Sequence, residues 1–133
     1  MITAAKLPFA AHAVIETVAA LSFIFRPDAQ LPGCSPAARL ILRQYGGLLL
    51  ASSFVCAAVL VADPGLEDAT MMMRLLAVAL GTYHVWPCHR AWVRLRSGSS
   101  ATLGGPALHL VVHLVCLGLF MFSAAASASS IDI

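Results

Sequence analysis

The chain has 133 residues, of which 60% are hydrophobic and 11% are charged, and its mean hydropathy is +0.89. Soluble domains carry roughly 45–50% apolar and about 25% charged residues, so the composition excludes an ordinary water-soluble domain. The formal net charge of +2 is too small, and the basic residues too little interleaved with aromatic ones, to indicate a nucleic-acid-binding protein. The length suits a single domain, and at about 20 residues for each bilayer span it allows four membrane helices.

Two helices are predicted in the first half of the chain. The first covers residues 7–25 and has a proline in its first turn, where the missing N–H does no harm. Its apolar run follows a lysine as in a signal peptide, but His12 and Glu16 interrupt it, so we expect a retained helix. The second covers residues 37–62 after a Ser-Pro pair typical of a helix start. It carries Gly, Ala and Ser at spacings near four, which let helices approach closely in lipid.

Two further helices are predicted in the second half. An Asp-Pro-Gly turn at 63–65 precedes a helix over residues 69–94, and a Gly- and Ser-rich loop separates this from a helix over residues 106–125. The predicted fold is therefore all-α, an integral membrane four-helix bundle that forms one domain over residues 1–133.

The basic residues predict the orientation in the membrane. Six of the eight lysine and arginine residues fall on the side of the first and third connections: Arg26, Arg39, Arg43, Arg90, Arg94 and Arg96. Arginine-rich loops usually stay in the cytoplasm, so both termini are expected on the same lumenal or external side. We expect a multi-pass protein of the endoplasmic reticulum membrane if the source is eukaryotic, and of the inner membrane if it is bacterial. The small-residue face also permits a homodimer within the lipid.

Ionisable side chains inside the predicted helices are the strongest functional signal. Such groups are costly at membrane depth and usually face a bundle interior or a cavity. Counted from the basic side, Glu16, His84 and His113 fall at similar depths in three different helices, so we expect them to meet. Pro87 cannot donate to the carbonyl of Tyr83 and is expected to distort the helix beside His84, as a binding cavity requires.

These residues suit an enzyme that acts on a lipophilic small molecule by proton transfer, of an isomerase or cyclase type. A carboxyl group in an apolar site is suited to donate a proton, histidine to act as base or shuttle, and arginine to bind a carboxylate or enolate. The predicted catalytic residues are Glu16, His84, His113 and Arg43, with Arg43 above the other three. The predicted substrate-binding residues are His12, Arg39, Gln44, Tyr45, Tyr83 and His109. The hypothesis requires no metal and no cofactor.

Other functions stay open at this point. Histidines with a carboxylate can bind haem, iron, copper or zinc, which predicts a membrane redox protein, although the chain has no C-x-x-C-H or Glu-x-x-His motif. A non-catalytic scaffold or binding protein is the third possibility, with Glu16 serving only to pair helices. The simpler reading of His12, His89 and Arg90 is that they are hydrated at the membrane interfaces.

Two stretches resemble known families. The sequence RQYGGLLLAS at Arg43–Ser52 resembles a pattern in small four-helix DoxX-like membrane proteins, which implies a helical bundle but no single chemistry. The sequence HAVIE at His12–Glu16 resembles the His-x-x-x-Glu of the first helix in the emopamil-binding (EXPERA) four-helix fold, whose sterol isomerase members shift a double bond through protonation. This second resemblance implies acid–base chemistry for these two residues. The acidic and aromatic pattern of that family's later helices is missing from the chain.

Overall fold

The computed structural model describes residues 3–62, 67–98 and 105–129, and every regular element within them is helical. In chain order these are a 3₁₀ turn (Ala4–Lys6), α1 (Leu7–Phe25), α2 (Pro27–Gln30), α3 (Pro36–Val61), α4 (Glu67–Arg96) and α5 (Pro106–Ser129). The all-α prediction is confirmed, and the ends of α1, α3 and α4 lie within two residues of those predicted.

The helix α5 differs from its prediction, because it continues to Ser129 instead of ending at residue 125. The extension is rich in alanine, which has the highest helix propensity. The turn predicted at 63–65 lies outside the described residues.

The outer surface of the bundle is apolar. The helices α1, α3 and α5 are each long and apolar enough to cross a membrane, whereas α4, which carries four arginines, is not among them. Large apolar side chains are nevertheless exposed on every long helix; Val14, Phe54, Trp86 and Phe122 are one example from each, and all are more than half exposed. A soluble bundle would turn such side chains inward, so the surface is consistent with a membrane protein.

The bundle consists of two close helix pairs, α1 with α3 and α4 with α5. The first pair meets at Gly46, where an added Cβ would lie 2.8 Å from Ile24 Cγ1 and 2.9 Å from the Ala20 carbonyl oxygen. The neighbouring Gly47 has nothing within 4 Å of the same position. The predicted packing through small residues is therefore found at Gly46 and not at Gly47.

Replacing Gly46 with alanine is expected to destabilise the bundle by about 1–3 kcal/mol, because the new methyl group would meet the backbone of α1. The matched control is Gly47→Ala, which places the same methyl group in open space on the same helix. Thermal unfolding of both variants in detergent measures the difference. Equal unfolding temperatures for the two variants would contradict the close contact.

The N-terminal segment is fastened to the end of the bundle. Lys6 is buried, and its Nζ donates hydrogen bonds to the carbonyl oxygens of Leu60 at 3.1 Å and Ala62 at 2.7 Å. A cation at the C-terminal end of a helix satisfies carbonyls that lack partners and complements the helix dipole. The hydroxyl of Ser123 donates to the Ala5 carbonyl at 2.7 Å. The start of α1 is thereby held between α3 and α5, which fixes the position of α1 relative to the other helices.

Candidate functional site

Three buried histidines from three helices form a hydrogen-bonded chain inside the bundle. His12 on α1, His84 on α4 and His113 on α5 are 0%, 0% and 4% exposed. His12 Nδ1 lies 3.1 Å from His84 Nε2, and His84 Nδ1 lies 2.7 Å from His113 Nδ1. At the other end, His12 Nε2 lies 3.0 Å from the Ser52 hydroxyl on α3. One chain of polar atoms therefore joins all four long helices.

The serine at the end of this chain sets the direction of its hydrogen bonds. The Ser52 hydroxyl donates to the Leu49 carbonyl at 2.8 Å, so its oxygen accepts from the Nε2–H of His12. In a neutral ring the other nitrogen of His12 is then an acceptor, and it receives the Nε2–H of His84. Because His84 then carries its hydrogen on Nε2, its Nδ1 is an acceptor and receives the Nδ1–H of His113. Every link then holds one hydrogen, and such a series of imidazoles is suited to relay a proton.

A carboxylate lies beside the histidine chain with one oxygen unpartnered. Glu16, one turn after His12 on α1, is 1% exposed. Its Oε1 lies 3.9 Å from His113 Nδ1, and its Oε2 accepts from the Tyr83 hydroxyl at 3.4 Å. Among the described residues, Glu16 Oε1 is a buried atom with no hydrogen-bond partner. Because a buried acceptor without a donor is costly, this oxygen is a candidate contact for a ligand.

An aromatic layer closes one side of the histidine chain. Phe120 is fully buried and stacks on His84 with ring centroids 5.7 Å apart, and Phe9 meets Phe120 edge-on at 5.3 Å. These rings exclude water from the back of the site. Nothing in the sequence separates Phe120 from the other apolar residues of its helix, so sequence reasoning missed it. Ser52 was missed as well, because a single serine among small residues resembles a packing position.

The other side of the site opens on a cavity of about 320 Å³ that all five helices line, a volume typical of small-molecule sites. The surface of the cavity is mainly apolar, and its polar side chains are Glu16, Gln30, Tyr45, Tyr83, Arg90, His109 and His113. Three lining residues, Val14 and Val18 on α1 and Leu108 on α5, are themselves exposed. The mouth of the cavity therefore lies between α1 and α5, on the apolar outer face.

Arg90 is the cation of this cavity. Its Nη2 lies 3.0 Å from the Nε2 of His109, and its Nε is buried without a hydrogen-bond partner among the described residues. The ring of His109 in turn packs against that of His113, with centroids 4.4 Å apart. Since an arginine is always charged and donates in a planar fork, Arg90 is available to an anionic group in the cavity.

The chain matches no protein-family model, no curated protein and no solved structure. The resemblances to DoxX-like proteins and to the EXPERA fold therefore stay predictions. Function is inferred from the geometry of the site alone.

The structure brings together seven of the ten residues that the sequence predicts for the site. They are Glu16, His84, His113, His12, Tyr45, Tyr83 and His109, and each either belongs to the histidine chain or lines the cavity. The hydroxyls of Tyr45 and Tyr83 lie 3.0 Å apart. A second cavity of about 550 Å³ shares four lining residues with the first, so these side chains separate two openings in the bundle: Phe23, Tyr45, Tyr83 and Arg90.

The other three predicted residues lie elsewhere. Arg43 and Gln44 are exposed and line neither cavity, so the prediction that Arg43 lies above Glu16 is wrong. The reason is the rotation of α3: Tyr45 faces inward, and a residue two positions earlier lies about 200° around the helix.

Arg39 lies in the first turn of α3 and is paired with a residue of α2. Its Nη2 pairs with the Asp28 carboxylate at 2.9 Å, and this guanidinium holds the pKa of Asp28 below its ordinary value. Arg39 is therefore engaged outside the cavity, and its predicted role in substrate binding is not supported by this position.

The interfacial readings of His12 and Arg90 are also corrected. His12 is fully buried at the centre of the site, and Arg90 lines both cavities. His89, one residue before Arg90, is exposed, as the interfacial reading predicts. The helix α4 is continuous through Pro87, and the distortion predicted beside His84 stays a prediction.

Proposed function

We propose that this protein is an integral membrane enzyme that moves a proton on and off a lipophilic small molecule, in an isomerase- or cyclase-type reaction within the 320 Å³ cavity. The observation that carries the proposal is Glu16 Oε1, a fully buried carboxylate oxygen that has no hydrogen-bond partner among the described residues and belongs to a residue of the cavity wall. A carboxyl group in such a site serves proton transfer when a base and a substrate complete its surroundings.

The residues of the cavity supply distinct parts of the reaction. The Glu16 carboxyl gives its proton to a carbon or oxygen of the substrate, while the Tyr83 hydroxyl 3.4 Å away orients that carboxyl. His113 accepts the proton that the substrate releases. Its Nδ1 lies 3.9 Å from Glu16 Oε1, which is longer than a hydrogen bond, so the proton returns to Glu16 through one bridging water. An isomerisation of this kind consumes no oxidant or reductant, because one C–H bond forms as another breaks.

The substrate is proposed to be apolar with one oxygen that carries or develops negative charge. The mainly apolar surface of the cavity favours a lipophilic body, and Arg90 favours an oxyanion near the free Nε of its guanidinium. Because Val14, Val18 and Leu108 surround the mouth and face outward, the molecule would arrive from the lipid and not from water.

We further propose that four helices cross the membrane, with both termini on the same lumenal or external side. The helix α4 is included because it packs along α5 and exposes Met71, Val78, Val85 and Trp86 to the outside, while His84 is turned inward. Its arginines Arg94 and Arg96 fall at its end, where basic side chains reach the interface.

The scaffold alternative explains the site less well. A carboxylate that only pairs two helices is expected to hold an arginine or lysine in direct contact. Among the described residues, Glu16 forms its ion pair with His113 at 3.9 Å, and its Oε1 has no hydrogen-bond partner. A carboxylate that served only to pair two helices would not leave one of its oxygens without a hydrogen-bond partner.

Solvent deuterium tests the proposal while the substrate is still unidentified. The purified protein, in lipid nanodiscs, is incubated in D₂O with a lipophilic extract of its source cells, and the extract is then analysed by mass spectrometry. We expect one class of lipophilic molecule to gain deuterium at carbon with the protein and not without it. An extract whose carbon-bound deuterium is the same in both samples would contradict the proposal.

A further inference from the structure

Three ligand atoms of the types that bind transition metals converge in the dry part of the site. The groups of His12, Glu16 and His84 each offer one atom, and these atoms all lie within 4.8 Å of one another. The two imidazole nitrogens, His12 Nδ1 and His84 Nε2, are 3.1 Å apart. Ion–ligand distances of about 2.0–2.2 Å put neighbouring ligand atoms about 3.0–3.4 Å apart, so these nitrogens already have the separation that one ion requires.

The second nitrogen of each imidazole has the outer partner that a metal ligand needs. A metal-binding histidine usually donates its other ring N–H to an acceptor, which fixes the ring and its tautomer. The Nε2–H of His12 donates to Ser52 Oγ at 3.0 Å, whose own hydrogen goes to a carbonyl. The Nδ1–H of His84 can donate to His113 Nδ1 at 2.7 Å. An ion would take the place of the Nε2 hydrogen of His84 and leave the His12–Ser52 hydrogen bond as it is. The His84–His113 hydrogen bond would stay but reverse its direction, so that His84 carries its hydrogen on Nδ1 and the neutral His113 carries its hydrogen on Nε2.

The carboxylate of Glu16 supplies the third ligand and the negative charge. Its Oε1 is the buried atom without a hydrogen-bond partner, and the side chain is 1% exposed. A cation bound there would satisfy this oxygen. Because Glu16 also lines the cavity while the two histidines do not, the ion would lie behind the cavity wall.

We infer that His12, His84 and Glu16 bind one divalent transition-metal ion, either Zn²⁺ or Fe²⁺. Two histidines with one carboxylate are the ligand set of catalytic zinc sites and of non-haem ferrous sites, whereas Ca²⁺ and Mg²⁺ prefer oxygen ligands. The inference goes beyond the proposed proton transfer, because it gives His12 and His84 a role that does not depend on turnover. An ion on Glu16 would keep this carboxyl group ionised, so the ion-bound protein is a form in which Glu16 donates no proton.

Metal binding is measured on the full-length protein in nanodiscs after treatment with a chelator. Zn²⁺ is titrated by calorimetry, and Co²⁺ is titrated as a coloured probe whose visible absorption reports bound nitrogen ligands. We expect one ion per chain at micromolar concentration and loss of that binding in the His12→Gln and His84→Gln variants. Absence of one-to-one binding in the wild-type protein, or unchanged binding in both variants, would overturn the site.

A matched pair of serines keeps the test valid if the histidine variants do not fold. Ser52 and Ser53 both donate to the Leu49 carbonyl, at 2.8 Å and 3.1 Å, but it is Ser52 that contacts His12. Loss of an outer partner typically weakens metal affinity about 10–100-fold. We expect that loss in Ser52→Ala and unchanged affinity in Ser53→Ala; equal affinity in both variants would overturn the site.

The same preparations separate this inference from the proposed function. Deuterium incorporation by chelator-treated protein that binds no Zn²⁺ would overturn the metal site and leave the proton transfer standing. One-to-one Zn²⁺ binding, together with no deuterium incorporation by the ion-free protein, would overturn the proton transfer and leave the metal site standing.

Discussion

In the Glu16→Gln variant, deuterium incorporation into the lipophilic substrate is expected to fall by about 10²–10⁴-fold, the usual contribution of a positioned proton donor. Glutamine has nearly the same shape and can keep the contact with Tyr83, which lies 3.4 Å from Oε2 in the native protein. It has no acidic proton to give. The variant is therefore expected to fold and to insert into the membrane while turnover is lost.

The control for this variant is Asp28→Asn. Among the described residues, Asp28 is the other carboxylate in an ion pair, and its partner is Arg39. Asp28 lies in α2, is exposed and lines neither cavity, so its replacement is expected to leave turnover unchanged. Unfolding temperatures measured in the same nanodiscs show that each variant is folded. A folded Glu16→Gln protein with wild-type turnover would eliminate the assignment of Glu16.

The His84→Ala variant is expected to lose about 2–5 kcal/mol of stability, the range for replacing a large buried side chain with alanine. His84 bonds to both His12 and His113 and stacks on Phe120. Its removal leaves two buried nitrogens without a partner and a hole beside an aromatic ring. Thermal unfolding in detergent measures the loss.

His89→Ala is the matched control, because His89 lies on the same helix but is exposed; its replacement is expected to change stability by less than about 0.5 kcal/mol. Added imidazole can fill the space left by His84 and restore two hydrogen bonds, so it is expected to raise the unfolding temperature of His84→Ala and not of His89→Ala. If the two alanine variants were equally stable, His84 would not be the centre of the chain.

The meeting of Glu16, His84 and His113 was predictable from the sequence. Each is a polar side chain at membrane depth in a different apolar helix, and such groups have to find partners inside the bundle because lipid offers none. Hydropathy also places the helices, since the long apolar runs are separated by turn residues. Both the helix positions and the meeting of the polar side chains follow from the hydropathy of each helix taken by itself.

Which arginine lines the cavity, Arg43 or Arg90, was not predictable in the same way. Arg43, Gln44 and Tyr45 are three consecutive polar residues, and any one of them can face inward. The contact of Gly46 with α1 fixes the rotation of α3 and selects Tyr45. Arg90 reaches the cavity because α4 continues as a helix past Pro87. Both outcomes depend on packing between helices, which a single sequence does not record.

The most direct test of the account is whether the reaction takes place in the cavity between α1 and α5. Val112 lines that cavity, whereas Val111, the preceding residue on α5, is more than half exposed on the outer surface. A tryptophan at either position adds the same volume to the same helix turn. The rate of deuterium incorporation is compared between Val112→Trp and Val111→Trp in nanodiscs. We predict that Val112→Trp loses activity and that Val111→Trp keeps it; equal rates in two folded variants would contradict a reaction in this cavity.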